Sequence, residues 1–169
     1  SNAPKKELSP TEEITFEGPE FISVHQKQDS LRFYAPRARF DLKNYIISAK
    51  EVKYINIADA RLYPDSGNVT ILKDAVMKTF TNSKIIANSV TKYHTLFDVN
   101  ANVFGRKSYS ASGKYQYVDQ NNQKHLIFFS NISVDTTFQT VAEAQIQDTS
   151  KFMLSPNFEF KGKAKLIDS

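Results

Sequence analysis

Cysteine and tryptophan are absent from this 169-residue chain, glycine occurs five times and histidine three times. Without cysteine there is no thiol nucleophile, no disulfide staple and none of the usual cysteine-based zinc sites. So few glycines leave little material for a phosphate-cradling loop, and no Gly-x-Ser-x-Gly elbow occurs. His25, His94 and His125 lie far apart, without the His-x-His or His-x-x-x-His spacing that places two imidazoles on one metal. These shortages lead us to expect no metal site, no cofactor and no catalytic centre. Also missing is any apolar run near the roughly 18 to 20 residues that a membrane-spanning helix needs.

Charge of one sign is not concentrated anywhere. The net charge is +4 and the isoelectric point near 9.1, yet the basic residues cluster only briefly, at Lys5-Lys6, Arg37-Ala38-Arg39 and Lys161-x-Lys163-x-Lys165. A nucleic-acid interface needs a dense basic stripe, so no nucleic-acid partner is expected. Contact with an anionic glycolipid would use the same scattered charges.

What the chain has in abundance is aromatic and β-branched residues in alternation, with 13 Phe and 8 Tyr. Leu31-x-Phe33-x-Ala35, Val99-x-Ala101-x-Val103, Tyr115-x-Tyr117 and Ala142-x-Ala144-x-Ile146 each put one set of side chains on one face of a strand. Turn-forming clusters separate such runs, at Pro64–Asn68 and Asp119–Gln123, with weaker versions at Phe80–Ser83 and Phe104–Arg106. The spacing predicts strands of about five to nine residues. Thr140–Ser150, the best helical candidate, reads better as an alternating strand.

An internal echo about 38 residues long runs through the first half. Asn44, Ile47, Ala49, Val52, Tyr54 and Asp59 return as Asn82, Ile85, Ala87, Val90, Tyr93 and Asp98. Repetition of this kind predicts stacked copies of one hairpin unit, small residue over small residue. Ser1-Asn2-Ala3 has the form of a cleaved expression tag. Residues 1–13 are expected to form a loose arm and residues 14–169 one β-rich domain, cut from a longer envelope protein.

The phrases Phe33–Asp41 and Ile85–Tyr93, each followed by a turn and another alternating strand, resemble the repeated hairpins of the OstA-like lipopolysaccharide-transport family. The resemblance covers roughly residues 31–104. It implies a periplasmic β-jellyroll that holds acyl chains between its sheets and extends by edge-to-edge strand pairing. Phe33, Phe40, Ile47, Val52, Ile85, Val90, Phe97 and Val103 would then line an apolar interior, and Arg37, Arg39 and Lys92 would meet phosphate.

The expectation is therefore an all-β, elongated, mainly antiparallel jellyroll or solenoid-like stack of about a dozen short strands. Its function would be that of a non-catalytic binding or scaffold module, periplasmic or outer-membrane-associated. Its partners would be lipopolysaccharide or another envelope glycolipid, and flanking domains or other envelope proteins at its strand edges. Two alternatives stand beside it: a purely structural β segment, and a carbohydrate-binding jellyroll using Tyr109, Tyr115 and Tyr117. Asp59 and Asp98, equivalent in the echo, would matter to catalysis only if they converged in a cleft; turn capping is the commoner use.

Overall fold

The structure is a computed structural model that describes residues 13–16, 20–88, 94–146, 152–155, 158–160 and 162–167. It is all-β, and every strand pairing is antiparallel. The first eight strands are short: β1 (Glu13–Phe16), β2 (Glu20–Ile22), β3 (Arg32–Tyr34), β4 (Arg37–Asp41), β5 (Ile46–Lys50), β6 (Ile55–Ile57), β7 (Ala60–Tyr63) and β8 (Val69–Ile71). Longer ones follow: β9 (Phe80–Ala87), β10 (His94–Gly105), β11 (Ser108–Val118), β12 (Lys124–Val134) and β13 (Thr140–Ile146). The chain closes with β14 (Phe152–Ser155), β15 (Phe158–Phe160) and β16 (Gly162–Ile167).

Two main sheets result. The smaller has the order β1-β4-β5-β8 and the larger β16-β13-β12-β11-β10-β9-β7-β6-β3-β2, while β14 and β15 pair with each other. Between residues 32 and 80 the chain crosses repeatedly from one sheet to the other. Ala35-Pro36 carries it from β3 to β4, and Glu51, in a left-handed conformation at φ 60°, helps return it from β5 toward β6. One continuous core joins the sheets, from Ala38, Ala49 and Val69 on the smaller to Ile132 and Ala142 on the larger.

The large sheet does not lie flat. In order across the sheet, β7 and β13 are five strand spacings apart, about 24 Å in a flat sheet, yet the turn before β7 touches the start of β13 through Asp59 and Thr140. A line of irregularities across four strands provides the bend. Asn82 in β9 and Asp98 in β10 take left-handed φ values of 48° and 47°. The pairing register slips beside both, and slips again between Ala111 and Gly113 where β11 meets β12. Each bulge inserts a residue, bends its strand and sharpens the twist. At Gly113 an added Cβ would lie 2.7 Å from Val99 Cγ2, so the two strands approach there more closely than a side chain allows.

Several expectations change here. β10, β11 and β12 run to 11 or 12 residues, beyond the five to nine foreseen. Phe80–Ser83 is no turn but the start of β9, because its turn-like Asn82 serves a bulge. The echo does not stack as equivalent hairpins either. Ala49 lies in β5 of the smaller sheet and Ala87 in β9 of the larger, and the two strands are not neighbours. Both alanines are buried, but a pattern of branched residues followed by Ala suits any strand with one covered face, so it does not say which sheet receives it. Thr140–Ile146 is a strand, as its alternation indicates.

Candidate apolar cavity between the sheets

The cavity lies where the sheets separate, at the end formed by β2 and β3 on one side and β4, β5 and β8 on the other. Its volume is about 450 Å³. Phe21 and Phe33 form one wall, their rings stacked with centroids 5.4 Å apart. Phe40, Ile47 and Ile71 form the facing wall, in register on three adjacent strands: Phe40 opposes Ile47, and Ile47 opposes Ile71. Alternation places these three on one face of the smaller sheet. Leu31, Leu72 and Met77 add to the apolar lining.

Two short 3-10 turns, Gln26–Gln28 and Lys73–Ala75, stand at the rim. Gln28 is buried, and its amide Nε2 donates to the Ala75 carbonyl at 2.5 Å, tying one turn to the other. The Ser23 hydroxyl hydrogen-bonds Gln28 Oε1 from the β2 side. Asp74 and Ala75 both hold left-handed φ, at 63° and 61°, which costs about 1 kcal/mol or more for a non-glycine residue. Ile22, Val24 and Tyr45 line the cavity while remaining exposed, and Val76 beside the rim is exposed too. Lys73 lies at the same rim, its ammonium 5.9 Å from the centroid of the Tyr45 ring.

Of the residues expected to line an apolar interior, Phe33, Phe40 and Ile47 meet at this cavity. Val52, Ile85 and Val103 do not; they are buried in the close-packed core. Phe97 is half-buried, because the bulge at Asp98 reverses the alternation and hands the inward positions to Leu96 and Val99. Val90 and Lys92 lie outside the described residues. Arg37 and Arg39 project from the exposed side of β4, with Arg37 paired to Glu51, so neither lines the cavity. Sequence reasoning missed Phe21, Ile71, Gln28 and the Lys73–Ala75 turn. Phe21 belongs to a three-residue strand too short to display alternation, and nothing local in the sequence marks Gln28 as buried.

Elsewhere, Asp59 and Asp98 are engaged separately. Asp59 accepts from Thr140, and Asp98 pairs with Lys114 at 3.2 Å on the surface. Tyr109 is buried, and Tyr115 and Tyr117 pack against the core, so the three do not form an exposed platform for a sugar. Burial raises the Tyr109 hydroxyl well above the ordinary tyrosine range, and that hydroxyl shares a 2.6 Å hydrogen bond with Thr140. His94 packs edge-on against Tyr115, and His125 hydrogen-bonds Asp119 at 2.7 Å. Among the described residues no three acidic or histidine side chains gather as metal ligands.

No protein-family model matches the chain, and comparisons with curated proteins and with solved structures give no match.

Proposed function

We propose that this protein is a non-catalytic binding module that holds the apolar part of a lipid between its two sheets. The observation that supports this reading is the apolar cavity of about 450 Å³, whose walls include Phe33, Phe40 and Ile47. A close-packed interior would exclude any guest, since folded cores leave few voids larger than a water molecule. A concave site with apolar walls and a few polar groups at one end is the usual form of a small-molecule pocket. With the OstA-like resemblance, the setting we propose is a bacterial envelope protein of the periplasm or outer membrane, and the ligand class is lipopolysaccharide or another envelope lipid.

The exposed apolar rim favours the same reading. Val24, almost wholly exposed, and Ile22, about half exposed, gain from contact with lipid, as does the ring of Tyr45, whose hydroxyl can stay at the water boundary. The scaffold alternative requires the opposite outcome, a protein indifferent to lipid. A thermal-unfolding series with lipopolysaccharide and with dispersed phospholipid separates the two. A ligand that binds only the folded state raises the midpoint with concentration; an unchanged midpoint at saturating lipid favours the scaffold.

A further inference from the structure

We infer that the cavity takes a single unbranched acyl chain bearing one anionic group, as in a fatty acid or a one-chain phospholipid, rather than a lipid of several chains. This rests on the apolar-chain reading proposed above and narrows it.

Size is the first argument. An apolar cavity of about 150 Å³ holds one benzene ring. On that scale the 450 Å³ between these sheets accommodates roughly eighteen carbons, which is one long acyl chain. A second chain of the same length would need the walls to part, and the Gln28 amide, between β2 and β3, ties the two sides together at the Ala75 carbonyl beyond β8. Met77 at the lining adds a flexible, polarizable surface suited to an articulated chain.

Charge is the second. Among the described residues lining the cavity, Lys73 is the one cationic side chain, and Asp74 lines it too. A single ammonium can meet one carboxylate or one phosphate. A head group with several phosphates would need several cations there, and Arg37 and Arg39 do not line the cavity. Gln28 adds hydrogen-bonding capacity at the same end: its amide is buried and already bridges to Ala75. Polar groups thus gather at the rim, while Phe21, Phe33, Phe40, Ile47 and Ile71 make the walls apolar. That polarity matches an amphiphile entering tail first.

The test is native mass spectrometry with competition binding on the unmodified protein, using octanoate, palmitate, tetracosanoate, palmitoyl lysophosphatidylglycerol, dipalmitoyl phosphatidylglycerol and lipid A. Palmitate and the lysolipid are expected to form one-to-one complexes more tightly than the shorter and longer acids and than both multi-chain lipids. Lys73→Gln should weaken palmitate roughly fivefold, as expected for a partly exposed ion pair, while leaving hexadecanol binding unchanged. The chain-length series needs no variant, so it decides the matter even if Lys73→Gln folds poorly. Tighter binding of lipid A or of the two-chain lipid would overturn the single-chain inference and leave the broader lipid reading standing. An equal effect of Lys73→Gln on palmitate and hexadecanol would overturn the role given to the ammonium. Failure of every amphiphile to bind would remove both readings.

Discussion

The carboxylate of Asp59 accepts hydrogen bonds from the Thr140 hydroxyl, at 2.7 Å, and from the Thr140 backbone N–H, at 3.1 Å, across a sequence separation of 81 residues. The hydroxyl of Thr140 also meets that of buried Tyr109. The three residues stand on the turn before β7, the start of β11 and the start of β13, so they fasten the rolled sheet where its distant strands meet. Backbone bonds reinforce the junction, from Ala58 N–H to the Arg106 carbonyl at 2.7 Å and from Arg106 N–H to the Gln28 carbonyl at 2.9 Å. Gln28 lines the cavity, so this junction helps hold its rim.

Replacing Asp59 by Ala should lower the unfolding free energy by about 2 kcal/mol, the order expected when hydrogen bonds to a charged group are lost and a buried hydroxyl and N–H lose an acceptor. Urea unfolding of Asp59→Ala, Thr140→Val and the double variant measures the coupling. Non-additivity of about 1 kcal/mol or more is expected for partners in direct contact. Strict additivity would mean that the contact does not stabilise the fold.

Gly113→Ala should cost about 1 to 3 kcal/mol by overpacking, because the new methyl would meet Val99 Cγ2 at 2.7 Å and the Phe97 carbonyl at 3.3 Å. Val99→Ala removes the nearer obstacle. In the Val99→Ala background, the further loss on adding Gly113→Ala should therefore be smaller than in the natural sequence, as read from urea midpoints.

Asp98 occupies the bulge with φ 47°. Asp98→Val should destabilise by about 1 to 2 kcal/mol, since a β-branched residue resists left-handed backbone. Asp98→Gly should be close to neutral, because glycine accepts that conformation and the carboxylate it loses makes an exposed ion pair worth little. A reversed order of stability would show that the strand does not bend at this residue.

Asp119 is buried in the β11–β12 turn, where it hydrogen-bonds His125 and accepts from the N–H groups of Asn121 and Gln123 at 2.9 Å. The His125 contact foremost, then the turn N–H groups, hold its carboxyl below the ordinary value of 3.8 against the opposing effect of burial. A carboxyl lowered on folding contributes stability that is complete above its unfolded value and is lost as pH falls through the folded one. Stability should therefore decline as pH drops below about 4, and Asp119→Asn should flatten that part of the profile. Unfolding midpoints collected across the acid range check this.

The sequence carried the fold class well and its three-dimensional arrangement only in part. Alternation at Leu31–Ala35, Val99–Val103 and Ala142–Ala144 is enforced by burial of one face, so it survives in any sheet and was legible. Which sheet a strand joins is settled by contacts between distant residues, and neither Ala49 nor Ala87 carries a local mark of it. Bulges hid the inward face in the same way: a single left-handed residue at Asp98 moved the buried positions from even to odd and misassigned Phe97. Asp was expected as a turn cap at Asp59 and Asp98. Capping of that kind occurs instead at Asp41, Asp119 and Asp135, each accepting from N–H groups two to four residues on. For the cavity, Phe33 lies in a visibly alternating run, whereas Phe40 and Ile47 were expected there on the family resemblance, since adjacent Ile46 and Ile47 do not by themselves mark the inward face. Gln28 and the Lys73–Ala75 turn were not legible, since the contacts that place them join segments far apart in sequence, Gln28 to Ala75 across 47 residues and Gln28 to Arg106.

Methyl-resolved NMR during titration with palmitate tests whether a lipid chain occupies the space between the two sheets. The methyl signals of Ile47, Ile71, Leu31 and Met77 should shift together and saturate, while those of Leu126 and Val118, exposed on the other side of the large sheet, stay where they are. Shifts confined to Leu126 and Val118, or no shift at any of the six under saturating palmitate, would contradict that occupancy.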